Sequence, residues 1–227
     1  MIKFGKNPSI LDAISQPRTG MAIWQRVLDK GVVDWLQDLP ASKLPDGRVL
    51  VAPAQARAAL KTLFRASQTP ICRHRLVLEN DVLSLVERFA ILAGVELVDI
   101  RLEKVDTDAC WKFHLDNVPF RMLTTYRGQT TQWVEAKDEA LALKRQRDYK
   151  GPLQRLPSYS VAIFKGRQTE HGGGVLHRSP PIEAIGEVRL LLCLNVPSQA
   201  SPEPWQKPAR QKRVSDSEAL FLGQALP

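Results

Sequence analysis

Gly94 divides this sequence into two textures, and that division constrains the fold more than any other feature. Before it, from Glu79 to Ala93, Val82, Leu85, Val86, Phe89 and Leu92 recur at helical spacing, and the glycine stands where a helix stop belongs. After it, Val95 to Leu102 alternates apolar and polar residues as a strand does. Short strand-like runs follow at Cys110 to Leu115, Phe120 to Tyr126, Thr131 to Val134, Ser160 to Phe164, Gly174 to His177 and Val188 to Val196. Turn signals such as Arg127-Gly128, Lys165-Gly166 and Ser179-Pro180-Pro181 separate them. A charged insertion from Glu135 to Arg155 interrupts the series and reads as a short helix.

Upstream, Met21 to Leu36 carries Ile23, Val27, Leu28 and Trp35 at near-helical spacing, with Gly31 as a break. Pro40, Pro45, Asp46 and Gly47 mark a loop, and Ala54 to Phe64 forms a second helix with Ala56, Ala59, Leu60 and Leu63 on one side. Helices first and short strands afterwards predict an α+β fold with an antiparallel sheet or barrel. The expected organisation is one domain over 1–196, helical over about 20–94 and β over about 95–196. From Pro197 onward Pro, Ser, Gln and Lys dominate, so 197–227 reads as a flexible tail, mobile or draped over the surface.

The 227 residues suffice for a well-buried core. A formal charge of +8 raises the question of nucleic acid, but the excess is spread along the chain. Its densest stretches, Lys144 to Arg147 and Lys207 to Arg213, lack interleaved aromatics that could stack on bases, so a solvated face or tail is the reading. No apolar run reaches membrane-spanning length, and the first residues lack the apolar core of a secretory signal. Cys72, Cys110 and Cys193 are odd in number and widely spaced, with no Cys-x-x-Cys pair. A cytoplasmic protein with reduced thiols is expected, with Cys110 and Cys193 as small core residues.

Trp111-Lys-Phe-His114-Leu-Asp116 is the segment richest in chemistry. On a strand His114 and Asp116 would project together, roughly 7 Å apart along the chain, with Phe113 and Leu115 turned to an apolar layer. An imidazole and a carboxylate converging in this way are two ligands of a divalent-metal facial triad. His177, which ends a glycine-rich run and precedes Arg178-Ser-Pro-Pro, is the candidate for the third. On the next strand Arg189, Leu191 and Cys193 share one face and Leu190, Leu192 and Leu194 the other. If the leucines meet the helices, Arg189 points into the barrel, where its guanidinium could hold a carboxylate in two parallel hydrogen bonds. The bland alternative stays open: His114 as a core histidine bonded to Asp116, and His177 as a loop residue. His74 has basic neighbours that disfavour a cation, and His171 is a substitute ligand, a substrate contact or merely exposed.

The string Phe113-His-Leu-Asp-Asn-Val118, then Arg121 to Gly128 and Thr131-Gln-Trp133, resembles a bacterial family labelled domain of unknown function 1826. Ala22-Ile-Trp-Gln-Arg26, Phe164-Lys-Gly166, His177 to Pro181 and Arg189 to Leu192 fit the same pattern, so the resemblance spans about 20–196. More remotely, the order His-x-Asp, distal His, then Arg resembles the double-stranded β-helix oxygenases dependent on Fe(II) and 2-oxoglutarate. That resemblance implies N-terminal helices packed on a jelly-roll, cupin-like barrel. It implies His114, Asp116 and His177 as iron ligands, Arg189 as the cosubstrate-binding arginine, and Tyr126 as a second polar contact on the cosubstrate.

The expected function is therefore Fe(II)/2-oxoglutarate-dependent hydroxylation. Three rivals stand beside it. A non-catalytic zinc sensor or store would use the same ligands. A zinc hydrolase would need a general base, for which Glu170 and Glu183 are weak candidates. A nucleic-acid-binding module would show steep salt dependence.

Overall fold

The computed structural model describes residues 1–169 and 174–207. Its elements in chain order are β1 (Ile2–Gly5), β2 (Met21–Trp24), α1 (Lys30–Asp38), β3 (Gly47–Val51), α2 (Pro53–Ala66), α3 (Arg73–Ala93), β4 (Val98–Val105), β5 (Phe120–Arg127), β6 (Gln132–Trp133), α4 (Glu139–Arg145), β7 (Gln154–Arg155), β8 (Val161–Lys165), β9 (His177–Arg178) and β10 (Arg189–Asn195). Short 3-10 turns link several of them.

The long helix α3 forms for the reasons the sequence offers. Val82, Leu85, Val86 and Phe89 are buried along one stripe, and Gly94 closes the helix at φ 64°, a left-handed angle that costs glycine little. Its start lies six residues before Glu79, where the Cys72 sulfur accepts the Arg75 amide. Helix α2 begins at Pro53, whose missing N–H would have had no partner there anyway, and buries Ala56, Ala59, Leu60 and Leu63.

Seven strands form one sheet in the order β1-β2-β8-β5-β10-β4-β3. Only the β1–β2 pair is parallel. Pleating gives this sheet two distinct faces. Val98, Ile100 and Leu102 of β4 and Leu190, Leu192 and Leu194 of β10 join the helices in the main apolar core. Leu123, Ala162, Phe164, Met21 and Ile23 look the other way, toward Trp133, Leu156 and Val175. The second sheet, β7-β6-β9, lies over that face and is extended by a single bridge between His177 and His114.

The α+β class holds, with a sheet-rich core, but the two facing sheets do not close into a barrel. Beyond β10 the large sheet continues into β4 and β3, where Arg48, Asp99, Arg101 and Glu103 pair with one another.

Three segments depart from expectation. Met21–Trp24 is a strand rather than the start of a helix, because it pairs with β1 and β8 and its first three residues are buried. A short apolar run fits a buried strand as well as a helix, and the helix begins only after the Asp29 cap. Cys110 to Leu115 forms no strand beyond the His114 bridge. Phe113 packs on Val134, Tyr149 and Leu176, against the charged insertion and not against α3. Cys110 is exposed, contrary to a core role, whereas Cys193 is buried. After β10 the chain doubles back: Pro204 bridges Leu50 of β3, and the Trp205 amide donates to the Leu50 carbonyl at 2.7 Å. The rest of the expected tail, 208–227, lies outside the described residues. No helix among the described residues is long and apolar enough to cross a membrane.

Candidate metal centre

Although Cys110 to Leu115 is not a strand, the backbone still pairs the two histidines. The His114 amide donates to the His177 carbonyl at 3.0 Å, and the His177 amide returns the bond at 3.1 Å. Directly paired residues share a face, so both imidazoles, together with Trp133 in register with His177, turn toward the large sheet. Asp116 follows His114 and reaches the same point. One ligand atom from each of His114, Asp116 and His177 lies within 4.8 Å of the others. His114 Nε2 is 3.6 Å from Asp116 Oδ1, and His177 Nε2 is 3.5 Å from Asp116 Oδ2. Ligand atoms bound to one ion at about 2.0–2.2 Å stand roughly 3 Å apart, so small rotamer adjustments complete the geometry.

The hydrogen bonds around the three groups point outward from their centre. His114 Nδ1 meets the Lys112 carbonyl at 2.8 Å, and His177 Nδ1 meets the Val175 carbonyl at 2.9 Å. Each carbonyl fixes the tautomer with the proton on Nδ1 and leaves the Nε2 lone pair free. Asp116 Oδ1 accepts from Arg121, whose Nε donates to Asn195 Oδ1 at 2.7 Å. Asp116 Oδ2 is buried and has no hydrogen-bond partner among the described residues. A buried carboxylate whose two oxygens each stand near one imidazole Nε2 fits a divalent cation in chemistry and in number. Phe164 of β8 stacks on His177 with ring centroids 5.0 Å apart.

Electrostatics separates the two histidines. Asp116 raises the pKa of His114 above the usual imidazole range, whereas burial lowers that of the fully enclosed His177. Burial pushes Asp116 upward, but His114, His177 and Arg121 outweigh it and hold the carboxyl low.

Arg189 lies on the site face of the large sheet, since it alternates on β10 with Leu191, which packs with Leu123 and Phe164. It is fully buried, its Nε donates to the Gln129 carbonyl at 2.6 Å and its Nη1 to Ser179 Oγ at 2.9 Å, while Nη2 has no partner among the described residues. Burial lowers its pKa to about 10, outweighing the opposing pull of Glu187.

Tyr126 does not reach this space. A register shift in the β5–β10 ladder lies beside it, and its hydroxyl donates to Asp81 Oδ2 at 2.6 Å on the helix side. Its expected role as a cosubstrate contact is thereby corrected. His74 sits on α3 beside Trp35, Glu183 is exposed on a 3-10 turn, and Glu170 and His171 lie outside the described residues. Sequence reasoning passes over Arg121, although its alternation with Leu123 on β5 puts it on the site face. Ser179 reads in the sequence only as a strand stop.

Fold and site together define a protein with a His–Asp–His cluster between two facing β-sheets and a buried arginine on the same sheet face. The chain belongs to the family described as protein of unknown function (DUF1826), whose model matches residues 5–195. No curated protein matches the sequence. Among solved structures it is similar to the apo form of the Kdo hydroxylase KdoO, a non-haem Fe(II) α-ketoglutarate-dependent dioxygenase. That match has 12% identity, covers 86% of this chain and 88% of that one, and has a TM-score of 0.43. HygX from Streptomyces hygroscopicus, with nickel and 2-oxoglutarate bound, matches at 13% identity, 83% and 85% coverage and a TM-score of 0.37. A Pseudomonas putida prolyl-4-hydroxylase matches at 16% identity, 73% and 91% coverage and a TM-score of 0.32. Scores of this size leave the reading of the site to its own residues.

Proposed function

We propose that the protein is an Fe(II)- and 2-oxoglutarate-dependent oxygenase in which His114, Asp116 and His177 hold the metal and Arg189 holds the distal carboxylate of the cosubstrate. The observation that supports this reading is Arg189, a buried guanidinium whose Nη2 has no partner among the described residues, on the sheet face that meets His177 through Phe164. A buried guanidinium with an unmet N–H is costly even with Glu187 near it, and a ligand carboxylate relieves it through charge-assisted hydrogen bonds. Ser179, which anchors Arg189, lies two residues beyond His177, a separation of roughly 7 Å along an extended chain. That span suits a diacid with one end at the triad and the other at the guanidinium.

Three protein ligands leave coordination positions open, and an iron ion held there supplies dioxygen chemistry coupled to oxidation of a 2-oxo acid. The chain's own residues do the rest. The two carbonyls at Lys112 and Val175 keep both imidazoles aimed inward, Arg121 fixes the Asp116 carboxylate, and Phe164 and Trp133 wall the space with apolar surface.

The test is anaerobic addition of 2-oxoglutarate to Fe(II)-loaded protein, which should give a visible charge-transfer absorption, followed by assay for succinate in air. Arg189→Met should lose the band and keep the metal. Metal-loaded protein with neither band nor succinate would make this a non-catalytic metal-binding protein, for which zinc suits the same three ligands.

A further inference from the structure

Arg189 Nη2 is one of several buried polar atoms left without a partner on this side of the large sheet. Thr125 Oγ1 and Trp133 Nε1 are the others that matter here. Thr125 alternates with Leu123 on β5 and stands in register with Leu191, two residues from Arg189 on β10. It therefore belongs to the arginine end of the space. Trp133 is in register with His177 on the second sheet and packs with Leu123 and Phe164, so it belongs to the metal end. Both residues are more than nine-tenths buried, Thr125 at 3% and Trp133 at 6% exposure, so bulk water does not satisfy them. An indole N–H can only donate, and a threonine hydroxyl donates readily. Two such donors and a guanidinium between the same two sheets call for an occupant that brings acceptor oxygens at both ends.

We propose that Thr125 and Trp133 are positioning residues that grip a 2-oxo diacid at opposite ends, Thr125 beside Arg189 at the distal carboxylate and Trp133 at the metal-proximal carboxylate. This rests on the cosubstrate reading above and adds a division of labour to it. Thr125 sets the preference for a diacid over a monoacid, and Trp133 strengthens any 2-oxo acid irrespective of length. Neither polar atom holds the fold together through a hydrogen bond among the described residues.

Calorimetric titration of Zn(II)-loaded protein with 2-oxoglutarate, pyruvate and glutarate tests this, with melting temperature measured beside it. Thr125→Val should weaken 2-oxoglutarate and glutarate about tenfold and leave pyruvate unchanged. Trp133→Phe should weaken 2-oxoglutarate and pyruvate alike, again about tenfold, with zinc affinity unaltered. Thr125→Val should not lower the melting temperature of the ligand-free protein, and Trp133→Phe should lower it only by the packing volume the smaller ring gives up beside Leu123 and Phe164. Wild-type affinities in both variants, or a drop in melting temperature with equal loss for every ligand, would overturn the proposal while leaving Arg189 and the oxygenase reading intact. Glutarate binding that depends on Thr125 and Arg189, with no gain from a 2-oxo group, would keep the distal grip but remove both the Trp133 role and the oxygenase reading. Failure of all three acids to bind wild-type protein would remove both.

Discussion

Tyr126 and Arg189 are both fully buried polar side chains on neighbouring strands of one sheet, yet they face opposite ways and have opposite fortunes. On the helix face the Tyr126 hydroxyl, both oxygens of Asp81 and the Arg26 guanidinium satisfy one another. On the other face Arg189 Nη2, Thr125 Oγ1, Trp133 Nε1 and Asp116 Oδ2 have no partner among the described residues. Burial alone therefore does not distinguish structure from function here. Completion of the hydrogen bonds does: the helix face is finished by folding, and the inter-sheet face awaits something from outside.

That contrast can be broken by mutation, beginning with the largest effect. Phe89→Ala empties a fully buried ring position among the helices and should cost about 3–5 kcal/mol in denaturant unfolding. The molecules that remain folded should bind zinc with unchanged affinity. His177→Ala and Asp116→Ala should do the reverse, lowering metal affinity by about 100-fold or more in calorimetry. Both also cost ligand-free stability, since Asp116→Ala leaves the Arg121 guanidinium without its carboxylate and His177→Ala removes a ring stacked on Phe164, but the loss in metal affinity should be the distinguishing effect. If these substitutions unfold the protein while Phe89→Ala empties the metal site, the division between the faces is wrong.

Smaller effects sharpen the comparison. Tyr126→Phe removes a satisfied hydroxyl and should cost about 1–2 kcal/mol without touching metal binding. Arg189→Met removes a buried charge that Glu187 offsets only in part, so the melting temperature of ligand-free protein should hold or rise. A fall for Arg189→Met larger than that for Tyr126→Phe would mean that its bonds to Gln129 and Ser179 outweigh the orphaned charge.

The mildest probe is pH. Metal binds the neutral imidazoles, and Asp116 raises the His114 pKa above its ordinary value, so His114 takes up a proton first as pH falls. Zinc affinity, measured by competition with a chelator, should begin to fall at or above pH 6.5 and approach a tenfold loss per pH unit below it. The lowered pKa of His177 has a separate signature in the metal-free protein. The unfolded chain protonates that imidazole near its ordinary value and the folded one only at lower pH. Its contribution to stability is thus present above pH 6.5 and is lost as pH falls toward the folded value.

The sequence made the helix face legible because α3 repeats its apolar spacing through five turns and ends on a glycine. It marked His114, Asp116, His177 and Arg189 because their chemistry stands out against a chain with only four histidines. What it hid was direction. Tyr126 and Arg121 belong to one strand, and spacing alone could not say which parity faced the helices, nor that the ladder shifts beside Leu190. Residues Met21–Trp24 read as helix for a similar reason, since their partners in β8 lie about 140 residues away and no local pattern names them. Burial likewise decided that the apolar layer met by Phe113 would be Tyr149 and its neighbours in the insertion.

The returning segment at Pro204 and Trp205 has a consequence for how copies of this chain behave toward each other. Strand β3 ends the large sheet, and an open sheet end offers backbone groups to any extended chain of suitable length. Pro204 and Trp205 occupy part of that end: the Trp205 amide takes the Leu50 carbonyl, and the residue before it has no amide hydrogen to offer a newcomer. Ser201 pins the return by donating to Asp99 at 2.7 Å. The segment thus works as a selvedge, the finished border that keeps a woven edge from taking up stray thread. A chain cut at Val196 would lose it, and self-association in sedimentation would report the exposed edge.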